Sequence, residues 1–317
     1  MKKEIYNMDL LKLKLTEILN HIEDKNDVVY LDYPLHYNVG DLLIFLGGIQ
    51  FLSKNEINVK KFYCVNNLKI NNLKKNITKK TTILCHGGGN FGDIYENHQK
   101  LREDIVKNFP NNKIIILPQT AYFKDKENQN RSEKLFSNHK NLIIFARDCV
   151  SLEIFKKHSN HCFLMPDMAH FLYKNIPKKK QPSKSVLLFL RKDVEACVGQ
   201  EKISGFENHE SYDWADLIDE NDELQLKKIK KLIRLNKLLN SQKLDDYIFR
   251  QWNKNIEKLV ERSIEFFSDY EKIVTSRLHG HIMTCLLDRK SIVLNNSYGK
   301  NKSYYDLWTN DIAEFLG

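Results

Sequence analysis

Short apolar runs punctuate the first half of the chain, each followed by a turn and then by a stretch with helical spacing. Val28-Val29-Tyr30-Leu31 comes first, and Lys61–Val65, Thr81–Cys85, Lys113–Leu117, Leu142–Phe145 and Cys162–Met165 follow. These runs are brief, continuous and rich in β-branched residues, as strands covered on both faces are. Helical patterns over Leu42–Leu52 and Ile94–Phe109 fall between some of them. Alternation of this kind predicts a parallel sheet with helices packed over it.

The pattern breaks at Ile176–Ser183, where two prolines flank three lysines and no periodicity survives. Such a segment reads as a linker. Beyond it a second set opens with Ser185–Leu190, continues through a long helical region from Leu224 to Phe267 in several pieces, and closes with a strand at Lys272–Val274, a helix at Leu278–Leu287 and a strand at Ser291–Leu294. The expectation is an α/β protein of two Rossmann-like domains, residues 1–176 and 184–317, facing a cleft. Ligands of such sheets sit at the carboxyl ends of the strands.

Composition narrows this picture only a little. With 317 residues, 42% of them hydrophobic, the chain can bury a sizeable core. The net charge of +9 attracts phosphorylated ligands, polyanions and anionic membrane surfaces without choosing among them. No zinc finger, RNA-recognition signature or basic zipper accompanies it, so nucleic acid is not an expected partner. The six cysteines, at 64, 85, 149, 162, 197 and 285, form no CxxC pair and read as small buried hydrophobes in a reducing compartment. No signal-peptide pattern opens the chain, and no apolar run reaches the roughly 18 residues that span a bilayer. A cytoplasmic protein with at most peripheral contact at the inner membrane face is expected.

Three loops carry candidate chemistry. His86-Gly87-Gly88-Gly89-Asn90-Phe91-Gly92-Asp93 follows a strand and precedes a helix. Glycines there let backbone approach a ligand, and the helix N-terminus adds partial positive charge. The spacing fits neither a Walker A loop nor the dinucleotide fingerprint, and a tight turn that needs glycine for packing is the plain alternative. His36-Tyr37-Asn38-Val39-Gly40-Asp41 holds the equivalent place after the first strand; Asn38 and Asp41 can cap the next helix, and Asp41 or Asp93 can orient a hydroxyl or accept its proton. In Ser276-Arg277-Leu278-His279-Gly280-His281, a guanidinium suited to bidentate carboxylate or phosphate stands two residues from an imidazole. His281, once helical, points away from His279, so the two make a poor metal site. Arg191 and Lys300, each after a strand of the second set, aim at the same cleft, which suggests a pocket for a multiply charged anion. Arg147-Asp148 with Ser151 reads as an ion pair or helix cap at the interdomain edge.

Taken in order, Asn38-Val39-Gly40-Asp41, the 86–93 loop, Arg147-Asp148-Cys149-Val150-Ser151, Pro166-Asp167 and Ser276-Arg277-Leu278-His279-Gly280 resemble the polysaccharide pyruvyl transferase family over most of the chain. Tyr212-Asp213-Trp214 and Tyr298-Gly299-Lys300 are similar to segments of its exopolysaccharide members. The resemblance implies a GT-B-like pair of Rossmann domains, phosphoenolpyruvate as donor substrate, no cofactor and no metal, and a cyclic pyruvate ketal on a sugar of an exopolysaccharide, capsule or cell-wall precursor that can be lipid-linked. It implies donor binding by Arg277 and Leu278, with Lys300 and Arg191, and proton donation by His279. The acceptor then falls to Asn38, Gly87, Gly88, Gly89 and Asn90, with Asp41 or Asp93 as base. Two rival readings are a glycosyltransferase of the same fold using a nucleotide sugar, and a non-enzymatic protein that binds acidic polysaccharide.

Overall fold

A computed structural model describes residues 7–177, 181–192, 209–295 and 299–316, with Lys300 described by its backbone alone. Seven strands build the first sheet: β1 (Val28–Leu31), β2 (Val59–Tyr63), β3 (Thr82–Cys85), β4 (Gly88–Gly92), β5 (Ile114–Tyr122), β6 (Leu142–Ala146) and β7 (His161–Leu164). They run parallel in the order β2-β1-β3-β5-β6-β7, with β4 laid against the far half of β5. The second sheet holds β8 (Lys184–Phe189), β9 (Ser211–Tyr212), β10 (Tyr270–Thr275), β11 (Lys290–Leu294) and β12 (Glu314–Leu316), parallel in the order β12-β11-β10-β8-β9. Both are Rossmann-like, as the alternation of apolar runs and helices predicts.

Each sheet reverses its winding once. In the first, the chain goes from β1 to β2 on one side and then to β3 on the other; in the second it goes from β8 to β9 and then back to β10. Loops diverge at such switch points and leave a crevice at the strands' carboxyl ends. The crevices therefore lie after β1 and β3, and after β8 and β10.

The apolar runs are continuous because alternate residues serve two layers. In β1, Val28 and Tyr30 join one buried cluster while Val29 and Leu31 join another on the opposite face. The first of these clusters does not stop at the first sheet. It also takes in Phe189, Ile273, Trp252 and Trp308, so one apolar core runs through both halves. Polar ties reinforce it: Trp252 Nε1 donates to the Pro34 carbonyl at 2.7 Å, Tyr37 Oη to the Asp222 carbonyl at 2.7 Å, and Trp308 Nε1 to the Arg147 carbonyl at 2.7 Å.

Three features sharpen or correct the expectation. The glycine segment is a short strand rather than an open loop, and its pairing is what carries β5 on to Tyr122. The long helical region comes in pieces as expected, two helices, Glu220–Leu239 and Gln242–Ser268, divided at Asn240, whose left-handed φ of 51° ends the first. Of the cysteines, Cys64, Cys85 and Cys285 are buried, but Cys149 is exposed, and Cys197 lies outside the described residues. Lys178–Lys180 of the expected linker also lie outside them. Among the described residues no helix is long and apolar enough to cross a membrane.

Candidate active site

The loops from the two switch points meet around a cavity of about 340 Å³. Its wall includes Asn38 and Asp41 after β1, Gly89 and Asn90 of β4, Arg191 after β8, and Arg277, Leu278 and His279 after β10. Residues more than two hundred positions apart are thus neighbours because both sheets aim their carboxyl ends at one space.

His279 stands in the first turn of the helix Leu278–Leu286 and leans across onto the first half. Its Nε2 lies 3.3 Å from Asp167 Oδ2, and the same Asp167 oxygen accepts from Arg147 Nη1. Burial alone would raise the Asp167 carboxyl, but the Arg147 guanidinium and His279 beside it hold it well below the usual carboxylate range. Asp167 is thus a fixed anion under the imidazole. Arg147 is itself oriented by Thr120 Oγ1, which accepts from Nε at 3.2 Å and from Nη2 at 3.0 Å. Gly40 completes the seat: a Cβ placed there would stand 2.6 Å from His279 Nδ1 and 2.8 Å from Cγ. A side chain of any kind at position 40 would collide with the ring.

Arg277 is held from the other side. Its Nε and Nη2 donate to the two carboxylate oxygens of Asp213 at 2.7 and 2.6 Å. The fork expected to grip a ligand is therefore spent on a buried carboxylate, which fixes where the guanidinium sits. Asp213 also accepts from the backbone of Trp214 and of Lys192, so this anchor joins the ends of β8, β9 and β10. Arg191 lines the cavity while its backbone N–H donates to Ser276 Oγ at 2.9 Å. Lys300 opens the helix Lys300–Tyr304, and its side chain lies outside the described residues.

Several sequence candidates serve other purposes. Asp93 is not in the cavity wall; its carboxylate accepts from the backbone N–H of Lys124 and Asp125 at 2.7 and 2.8 Å and caps the turn before the helix Lys126–Ser137. Gly87 and Gly88 also lie off the wall. A Cβ at Gly87 would meet the Pro118 carbonyl at 2.4 Å, and Gly88 has a φ of +121°, so both glycines are required where the chain enters β4 beside β5. Gly89 alone of the three faces the cavity. Asn90 lines it too, but its side-chain oxygen already accepts from Arg102 and Gln119. Asn38 caps the helix Val39–Lys54 through the Gly40 N–H at 3.1 Å. His281 is structural: it bonds Ser291 and Thr309 at 2.8 Å each, and burial pushes it down to about 3.

No sequence motif gives Asp167 or Asp213 a role or points to His98, Tyr95 and Thr120, yet all five line or support the cavity. The position of Pro166-Asp167 and Tyr212-Asp213-Trp214 just after strands was the available signal. Among the described residues no three His, Cys, Asp or Glu side chains gather so as to hold a metal ion.

The sequence profile of polysaccharide pyruvyl transferases matches residues 38–298, from the capping Asn38 through the His279 turn and beyond. The chain belongs to the polysaccharide pyruvyl transferase family. It is 40% identical over 305 residues to a putative pyruvyl transferase, EpsO, of Bacillus subtilis strain 168, covering 96% of this chain and 92% of that one. It is 27% identical over 296 residues to pyruvyl transferase 1 of Schizosaccharomyces pombe, covering 89% and 69% respectively. A crystal structure of an uncharacterised protein from Klebsiella pneumoniae superposes with a TM-score of 0.61 at 19% identity, over 99% of this chain and all of that one. That likeness establishes the shared fold. Membership makes the chain a transferase of polysaccharide biosynthesis, and the cavity between its sheets the place to look for the transfer.

Proposed function

We propose that this member of the family transfers the pyruvyl group of phosphoenolpyruvate to hydroxyls of a saccharide precursor, closing a cyclic ketal. One observation carries the reading: the Arg277-Leu278-His279 turn, anchored by Asp213 and Asp167, faces the acceptor-side loops across a single cavity. The pyruvyl transferase names of the two relatives support it.

Phosphoenolpyruvate carries a carboxylate and a phosphate, which suits a wall containing Arg277, Arg191 and Arg147. Its C3 must gain a proton before C2 becomes electrophilic. His279, whose ring is oriented by Asp167 and seated against Gly40, is the group to deliver that proton. A sugar hydroxyl then attacks C2, and a second hydroxyl displaces phosphate. Lys300 assists the departing phosphate on this reading. The acceptor lies against Asn38, Asp41, Gly89 and Asn90, on the switch point of the first sheet. A lipid-linked acceptor would draw the protein, through its +9 charge, to the inner membrane face.

Donor competition tests the reading. The protein is incubated with phosphoenolpyruvate, or with a panel of uridine diphosphate sugars, and with galactose-, glucose- and N-acetylmannosamine-containing acceptors, and products are read by mass. Phosphate release with a pyruvate ketal on one acceptor is the expected result. Release of nucleotide instead would identify a glycosyltransferase, and binding without turnover a polysaccharide-binding protein.

A further inference from the structure

A second histidine–aspartate pair lines the same cavity from the first sheet. His98 stands in the first turn of the helix Glu96–Asn108, and its Nδ1 lies 2.7 Å from Asp32 Oδ1. Asp32 follows β1 directly and is completely buried. Its φ is +68°, a left-handed backbone that aspartate tolerates but that persists only where the surroundings enforce it. The enforcement is visible: Arg102, also buried, donates through Nη2 to Asp32 Oδ2 at 3.0 Å and is tied in turn to the side chain and carbonyl of Asn90. Strained backbone, a buried anion and a buried cation are thus assembled to hold one imidazole.

The imidazole's orientation matters. A neutral ring that donates from Nδ1 to a carboxylate carries its lone pair on Nε2. His98 keeps 22% of its side chain exposed and forms part of the cavity wall. It also borders a second hollow of about 440 Å³ that shares His36 and Tyr95 with the first and continues past Ile94 and Asn66. A saccharide laid over the first sheet's switch point, from one hollow to the other, passes beside this ring. Asp41, the acceptor-side carboxylate in the same wall, is placed more loosely, 3.6 Å from His36 Nε2.

We propose that His98 is the general base for the acceptor hydroxyl and that Asp32 is its positioning residue; this rests on the phosphoenolpyruvate reaction proposed above. In the first step the hydroxyl oxygen bonds to C2 while its proton passes to His98 Nε2, and the C2=C3 pair takes a proton at C3 from His279. In the second, the other hydroxyl bonds to C2 as the C2–O bond to phosphate breaks. Of the two hydroxyl protons, the equivalent of one ends on C3 and of one on phosphate, and exchange with solvent resets both histidines.

The experiment uses the full chain with phosphoenolpyruvate and p-nitrophenyl galactoside, glucoside and N-acetylmannosaminide as acceptor probes. His98→Ala should lower kcat by roughly 10²–10⁴-fold, the usual span for a lost general base, with phosphoenolpyruvate binding by calorimetry unchanged. Added imidazole should restore part of the His98→Ala rate, and His98→Gln should lose the acid limb of the kcat/KM pH profile. The groups facing the ring that could also shape that limb are Asp32, Arg102 through it, Tyr95, His36 and Glu96. A kcat close to wild type in both variants overturns the assignment, and so does a rise in KM alone without rescue by imidazole. If the wild type releases no phosphate from phosphoenolpyruvate with any of the three probes, the reaction itself falls, a result read without any variant.

Discussion

Gly40→Ala separates chemistry from folding more cleanly than removal of the histidine does. Gly40 sits in the first turn of the helix Val39–Lys54 with ordinary backbone angles, where alanine is a better helix former by up to about 1 kcal/mol. The added methyl carbon would nonetheless stand 2.6 Å from His279 Nδ1 and 3.0 Å from its Cβ. Atoms of this kind settle at about 3.5–4.0 Å, so the ring must retreat by about 1 Å. Its contact with Asp167 is already 3.3 Å and has little to give. A displacement of about 1 Å in a reacting group costs on the order of 10²-fold in rate. The expected outcome is a melting temperature near that of the wild type, normal phosphoenolpyruvate binding by calorimetry, and phosphate release slowed about a hundredfold. Gly48→Ala, on the same helix but 3.3 Å from the Tyr30 hydroxyl, is the control and should change turnover little. Wild-type turnover in Gly40→Ala would refute the seating of His279 described above, and a loss of activity explained by a matching loss of melting temperature would refute the separation.

Other outcomes follow from the same contacts. Arg277→Lys cannot reproduce the two bonds to Asp213 that fix where the charge sits; if one charge-assisted bond to the ligand, worth about 1.5–3 kcal/mol, is lost with that placement, calorimetry should show phosphoenolpyruvate binding weakened at least about tenfold, and unchanged affinity would count against it. Asp93→Ala removes an acceptor shared by two backbone N–H groups and should cost about 1 kcal/mol in denaturant midpoint analysis while turnover persists; an inactive but stable variant would return Asp93 to the chemistry. Acid should destabilise the fold early. Burial lowers His86 and His170 to about 4 and His281 to about 3, so below an unfolded value of about 6.5 the unfolded chain binds more protons, and stability present above that pH drains away as pH falls toward 4. For His86 alone the loss is about 3 kcal/mol, and urea titrations at neutral pH and near pH 5 should differ visibly; coincident curves would refute it.

What the sequence revealed was set by local physics. β1, read as Val28–Leu31, has those limits in the structure because a four-residue run buried on both faces has nothing to blur its ends. The Arg277-Leu278-His279 turn was legible because a strand, a polar turn and an apolar helix lie in one continuous stretch. The glycine segment misled because glycines that admit a ligand and glycines that admit a neighbouring backbone look alike in sequence; only the Pro118 carbonyl, thirty-one positions on from Gly87, tells them apart. The roles of Asp32, His98, Asp167 and Asp213 were hidden for a related reason, even where a place after a strand hinted at Asp167 and Asp213. Their significance lies in partners 66, 112 and 64 positions away, and no spacing rule reaches that far.

The contacts made by residues 304–308 bear on how the protein is born. Tyr304 accepts from the Asp167 N–H and meets His170, and Trp308 bonds the carbonyl of Arg147. These residues leave the ribosome 137 and 161 positions after the residues they bond, yet they brace the very pair that seats His279. The half that supplies Asp167 and Arg147 can emerge and collapse early, but its share of the wall stays unsupported until translation has passed Trp308. A nascent chain therefore carries every candidate residue up to His279 before the contacts of Tyr304 and Trp308 can complete the wall that seats it.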